Sequence, residues 1–242
     1  IKKLHNSSDG KNNLSKSFRR IAFDELCANF LTLSENRKRI KRKKLPKKIL
    51  KKNSSTIINK LPFVLTNSQK NVLEEINKDL CSNKRMFRII QGDVGSGKTI
   101  VSLLSISNII ESNHQCAMMA PTEILARQHF ELAKKIFRNT HFKVEFITGK
   151  TEYKERKKIL KELDNGIIDL IIGTHSLFQK KIKFKKLGLV VIDEQHKFGV
   201  KQRSELAKKG GNNCDVLLMS ATPIPRTMMM SLYGDMDISK ID

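Results

Sequence analysis

Hydrophobic and polar positions change period several times along this chain. Short apolar runs stand at "MFRIIQ" (86–91), "QCAMMA" (115–120), "FKVEFIT" (142–148), "DLIIGT" (169–174), "LGLVVID" (187–193) and "DVLLMS" (215–220). Each has the length of a strand and is too short for a buried helix. Between them, "TIVSLLSISNII" (99–110), "EILARQHFELAKKIF" (123–137) and "EYKERKKILKEL" (152–163) carry apolar residues at helical period. Strands alternating with helices of about 10–15 residues predict βαβ units, and so an α/β fold: a mostly parallel sheet with helices on both faces. Ligands of such sheets bind beyond the carboxyl ends of the strands.

The first 60 residues follow another pattern. "RIAFDELCANFLTLSEN" (20–36) places apolar residues at 21, 22, 26, 30, 31 and 33, a helix with one greasy stripe. The basic run behind it is expected to continue that helix to Pro46, and "KKNSSTIINKLP" (51–62) reads as a linker. The predicted division is a basic helical leader and linker over 1–60 and an α/β domain over 61–242.

Charge separates the same two parts. The formal net charge is +23, of which +14 falls in residues 1–60 and +9 in residues 61–242. In "RKRIKRKKLPKKILKK" (37–52), 11 of 16 residues are basic. Such a block can neutralise nucleic-acid phosphates and release their counterions, or it can be only a solvated helix face. No apolar run reaches the length of about 18 residues that crosses a bilayer, and the N-terminus has no signal-like stretch, so a cytoplasmic location and no membrane partner are expected. Cys27, Cys81, Cys116 and Cys214 are far apart with no C-x-x-C pair, which gives no zinc or disulfide pattern.

The chemistry starts at "GDVGSGKT" (92–99), which satisfies G-x-x-x-x-G-K-[ST] between a predicted strand and a predicted helix. Gly92, Gly95 and Gly97 let the backbone of Asp93, Val94 and Ser96 curl so that its N–H groups face an anion, and the helix dipole adds to the attraction. Lys98 reaches β- and γ-phosphates, and the Thr99 hydroxyl suits Mg²⁺. A P-loop enzyme also needs a carboxylate on a neighbouring strand for the hydrated Mg²⁺. "LVVID" delivers Asp193 at a strand end. Glu194 then suits the base that activates the attacking water, and Gln195 and His196 stand between the γ-phosphate and whatever is moved. ATP and Mg²⁺ are the implied cofactors.

Together the motifs resemble the first motor domain of a superfamily 2 helicase, with a RecA-like P-loop NTPase fold. "DEQH" (193–196) stands at the Walker B box, "APTEILARQH" (120–129) is similar to motif Ia, "TG" (148–149) to motif Ic, "GTH" (173–175) to motif Ib and "SATPIPRT" (220–227) to motif III. Gln69 in "LPFVLTNSQ" resembles the adenine-reading Q motif, with Phe63 packing that site. With "DEQHKFGVKQR", "MSATPIPRT" and "YGDMDIS", the resemblance narrows to the RecG family and covers roughly residues 18–242. It implies an ATP-dependent DNA helicase acting on branched DNA, stalled forks and Holliday junctions, in recombination and repair. It also implies that Pro121, Thr122, Arg127, Gln128, Thr148, Gly149, Thr174 and His175 line the DNA side, and that Ser220, Ala221 and Thr222 couple hydrolysis to movement. A second motor domain supplying arginine fingers is expected beyond Asp242 and a DNA-binding wedge before residue 1. On this reading the chain is a fragment with weak ATPase of its own. The alternatives are a transcription-repair coupling translocase, which shares much of this motor but is expected to depart from Asp-Glu-Gln-His, and a non-catalytic nucleic-acid-binding remnant.

Overall fold

The computed structural model describes residues 18–28, 31, 43–179, 181–193, 211–222 and 236–242. The chain divides into two compact units, Lys41–Pro223 with Met236–Asp242, and Ile1–Ile40 with Ile224–Asp235. In the smaller unit residues 18–28 are helical, with Phe18, Phe23 and Leu26 exposed. The remainder of the predicted leader helix, Leu31 apart, lies outside the described residues.

The larger unit is built on seven strands: β1 (Phe87–Gly92), β2 (Gln115–Met119), β3 (Val144–Ile147), β4 (Leu170–Gly173), β5 (Leu187–Ile192), β6 (Asp215–Ser220) and β7 (Asp237–Ile241). They form one sheet in the order β3-β4-β2-β5-β6-β1-β7, and every neighbouring pair is parallel. β2, β4, β5 and β6 are buried at every position, which is why they read as unbroken apolar runs rather than as alternation. All six predicted strands are present. β7 had no such signal: it is an edge strand in which only Ser239 and Ile241 are buried.

The α-helices among the described residues of the unit are α1 (Lys52–Lys60), α2 (Asn67–Cys81), α3 (Lys98–Glu111), α4 (Glu123–Phe137) and α5 (Tyr153–Asp164). α3 packs on β1, β2 and β5 and also touches α1 and α2, so Val101–Ile110 are all buried. α4 lies against β3 and β4 and turns Ala126, His129, Phe130, Ala133 and Phe137 inward. Full burial of such large apolar side chains contributes roughly 1.5–3 kcal/mol each. α2 begins with a capping box: Thr66 Oγ1 accepts from Gln69 N at 3.2 Å, and Gln69 Oε1 accepts from Thr66 N at 3.0 Å.

Two expectations about the leader change. Residues 51–62 are not a linker, because Lys52–Lys60 form α1, whose Ile57 is in the core. The basic run does not continue as helix to Pro46: residues 43–50 are non-helical, and Lys43 bridges Lys84. The larger unit therefore begins at Lys41, some way before residue 60. Two lysines of the run are also withdrawn from solvent. Lys44 Nζ donates to both oxygens of Asp215 at 2.7 Å, Lys47 Nζ pairs with the same carboxylate, and all three side chains are buried. Asp215 Oδ1 further accepts from Met86 N at 2.7 Å. Burial pulls the Lys44 ammonium below its ordinary value, against the opposing pull of Asp215.

Candidate nucleotide site and nucleic-acid edge

β1 ends in Gly92, and the chain turns through 93–97 into α3. Gly95 and Gly97 have φ of 85° and 89°, the left-handed region that favours glycine. Gly97 is confined as well, since a Cβ there would meet Gln69 Nε2 at 2.4 Å. A Cβ on Gly92 would meet the Ile241 carbonyl oxygen at 2.5 Å. Gln69 Nε2 donates to the Ser96 carbonyl at 2.9 Å, so one amide caps α2 and braces the loop. Lys98 Nζ donates to the Gly92 and Asp93 carbonyls, each at 2.7 Å, which holds the ammonium over the loop. Val94 is 89% exposed at the loop tip, and Ser96 Oγ is a buried polar atom with no hydrogen-bond partner. Thr99 lies in the first turn of α3. Phe63 is half-exposed and lines a cavity of about 180 Å³ with Leu61, Ile100, Leu132 and Ile136.

Asp193 follows β5, two strands from β1 with β6 between them, a separation of about 10 Å across the sheet. Its backbone N–H donates to the Met119 carbonyl at 2.8 Å, which extends the β2–β5 pairing by one residue. Its side chain is 13% exposed, and Oδ2 lies 2.8 Å from His129 Nε2 on α4. Glu194, Gln195 and His196 lie outside the described residues. Among the described residues no group of three or more His, Cys, Asp or Glu can hold a metal. A glycine nest for anions beside a single carboxylate and the Thr99 hydroxyl fits Mg²⁺ brought in with a nucleotide. That ion keeps several waters and takes one or two protein ligands plus phosphate oxygens.

The other predicted residues line the same carboxyl edge. Pro121 and Thr122 follow β2, and Thr122 Oγ1 caps α4 by accepting from Leu125 N at 3.3 Å. Arg127 lies over the Phe146 ring at 5.0 Å, and with Gln128, Glu123, Ile124, Glu131 and Lys150 it lines an open cavity of about 550 Å³. Thr148 is buried after β3, while Gly149 has open space around it. Thr174 is buried after β4, and His175 is exposed at the start of a short 3₁₀ turn. Ser220 closes β6, its hydroxyl 3.2 Å from Thr222 Oγ1 and accepting from Thr222 N at 3.3 Å, with Ala221 between them.

Sequence reasoning missed two residues here. His129 sits in the quoted motif Ia stretch, and its only signal was a polar residue on the buried stripe of α4. Arg156 of α5 donates to the Thr148 carbonyl at 3.0 Å and to Gln179 Oε1 at 2.7 Å, tying the loop after β3 to the turn after β4. Nothing in its local pattern marked it out from the neighbouring lysines.

Comparison with known proteins agrees with this geometry. The model of the DEAD/DEAH box helicase family matches residues 66–230. The chain is 48% identical over 230 residues to the ATP-dependent DNA helicase RecG of Thermotoga maritima, covering 95% of this chain and 29% of that protein. It is 44% identical to RecG of Aquifex aeolicus, covering 100% and 31%. It thus spans about 30% of the length of these relatives. Among solved structures, RecG bound to a three-way DNA junction matches with a TM-score of 0.84 at 43% identity, over 95% of this chain and 31% of that one. The DEAD-box helicase Mss116 shares the fold, with a TM-score of 0.61 at 20% identity over 80% of this chain and 43% of that one. The chain belongs to the DEAD/DEAH box helicase family, and within it is similar to the RecG helicases.

Proposed function

We propose that this chain is the ATP-binding half of the motor of a cytoplasmic DNA helicase acting on branched DNA in recombination and repair. The observation that carries the reading is one edge of one sheet: the 92–99 loop on β1 and Asp193 on β5 face the same rim, two strands apart. The likeness to RecG on a three-way junction supports the substrate class. No helix among the described residues is long and apolar enough to cross a membrane.

In this reading the backbone N–H groups of Asp93 to Thr99 cradle the phosphates, and Lys98 leaves its two carbonyl partners for the β- and γ-oxygens. Phe63 and Gln69 flank the base. Thr99 and Asp193 would hold Mg²⁺, which when bound would neutralise phosphate charge. Glu194 takes the proton of the attacking water, and Gln195 and His196 pass the change towards the DNA side. There Pro121, Thr122, Arg127, Gln128, Thr148, Gly149, Thr174 and His175 meet the strand. Ser220, Ala221 and Thr222 lie between the two ends and couple them. The intact motor takes its arginine fingers from a second motor domain.

The test is ATP binding and turnover by the chain and its Lys98→Ala variant, with forked and linear DNA compared. Lys98→Ala is expected to abolish nucleotide binding or hydrolysis, and forked DNA is expected to stimulate more than linear duplex. A variant with wild-type turnover removes the P-loop assignment, and equal stimulation by both DNAs removes the branched substrate.

A further inference from the structure

The carboxylate at the nucleotide site is held from the DNA side. Thr122, Arg127, Gln128 and His129 all belong to α4 or its cap, and Arg127 and Gln128 line the open outer cavity. His129, the next residue, is turned by the helical step of about 100° into the core, where it is 7% exposed. There its Nε2 meets Asp193 Oδ2 at 2.8 Å across 64 residues of sequence. An ionised carboxylate only accepts, so Nε2–H is the donor. Fixing one oxygen sets the plane of the carboxylate, and with it the direction in which its lone pairs meet a hydrated cation. Groups that orient a metal-ligating carboxylate in this way typically change metal affinity by about 10–100-fold when removed.

We propose that His129 is a positioning residue that orients Asp193 for the metal–nucleotide complex, and that it makes α4 a mechanical path between strand contact and the ATP site. A shift of α4 on binding a strand moves the donor of this hydrogen bond, and by linkage a bound nucleotide biases α4 in return. The inference rests on the Mg·ATP reading of the 92–99 loop and Asp193.

The experiment is equilibrium binding of a fluorescent ATP analogue, without turnover, titrated with Mg²⁺ and repeated with a short single-stranded oligonucleotide. His129→Ala is expected to raise the half-saturating Mg²⁺ by about 10-fold or more. His129→Gln, whose Nε2 lies the same number of bonds from Cα, is expected to restore it, while His129→Asn, one bond shorter, is not. The oligonucleotide is expected to lower the Mg²⁺ midpoint of the wild type and of His129→Gln only. The Gln and Asn pair keeps the test decisive if Ala fails to fold. Equal midpoints for Gln and Asn overturn the positioning role and leave His129 as packing. A wild-type midpoint that ignores the oligonucleotide overturns the path through α4. Wild-type binding that needs neither Mg²⁺ nor Lys98 instead removes the Mg·ATP reading, and the inference falls with it.

Discussion

The two rims of the sheet use polar groups in opposite ways. At the amino rim Lys44, Lys47 and Asp215 are buried against one another, and the carboxylate also takes the Met86 N–H. At the carboxyl rim the 92–97 backbone curls around positive-φ glycines, Ser96 Oγ is buried without a partner, and Lys98 Nζ donates to the Gly92 and Asp93 carbonyl oxygens. Charge at the amino rim is satisfied within the chain, whereas the carboxyl rim is arranged to receive an anion. The basic block at 37–52 illustrates the lesson. Its composition suggested phosphate binding, yet Lys44 and Lys47 belong to the closed rim. A lysine count therefore overstates the surface offered to nucleic acid.

Breaking each rim should give a different phenotype. The largest effect expected at the amino rim is from Asp215→Ala, which takes the paired carboxylate away from two buried ammonium groups. Chemical denaturation should register a loss of about 3–5 kcal/mol, with nucleotide affinity unchanged while the protein stays folded. Replacing all three groups by Met, Met and Leu should recover most of that loss, because a buried ion pair exchanged for apolar groups of like size is close to neutral.

At the carboxyl rim Gly97→Ala is expected to do the reverse. The left-handed φ and the approach to Gln69 Nε2 cost roughly 1–3 kcal/mol of strain. The same change pushes Gln69 off the loop, so nucleotide affinity should fall by more than stability does. Affinity equal to wild type in a folded Gly97→Ala protein would show that the loop does not depend on this close approach.

The smallest expected effect is one of pH, again at the amino rim. His114, beside the start of β2, is brought down to about 4, first by burial and then by the nearby Lys186 and Lys47. The unfolded chain binds that proton near 6.5 and the folded chain does not, so stability falls as pH drops from about 6.5 towards 4. Partial exposure limits the loss to roughly 1–2 kcal/mol. Denaturation midpoints at pH 7 and pH 5 should differ more for the wild type than for His114→Asn, and equal differences would clear His114 of the effect.

By itself the sequence determined what is local. The strand and helix alternation, the 92–99 loop and the strand that presents Asp193 all lie in contiguous stretches, where periodicity and backbone demands are written residue by residue. The Thr66-x-x-Gln69 capping signature of α2 is legible in the same way. Tertiary structure decided what joins distant stretches. Residues 51–62 look like a linker because Lys, Asn and Ser dominate them. They fold as α1 because the Glu111 carboxylate, 58 residues on, accepts the Asn53 N–H and because Ile57 enters the core. Lys44 with Asp215, His129 with Asp193 and Gln69 with Ser96 are pairings of the same kind. No local period encodes them, since each exists only where chain crossings place two polar groups within about 3 Å in an interior that disfavours leaving either one unpaired.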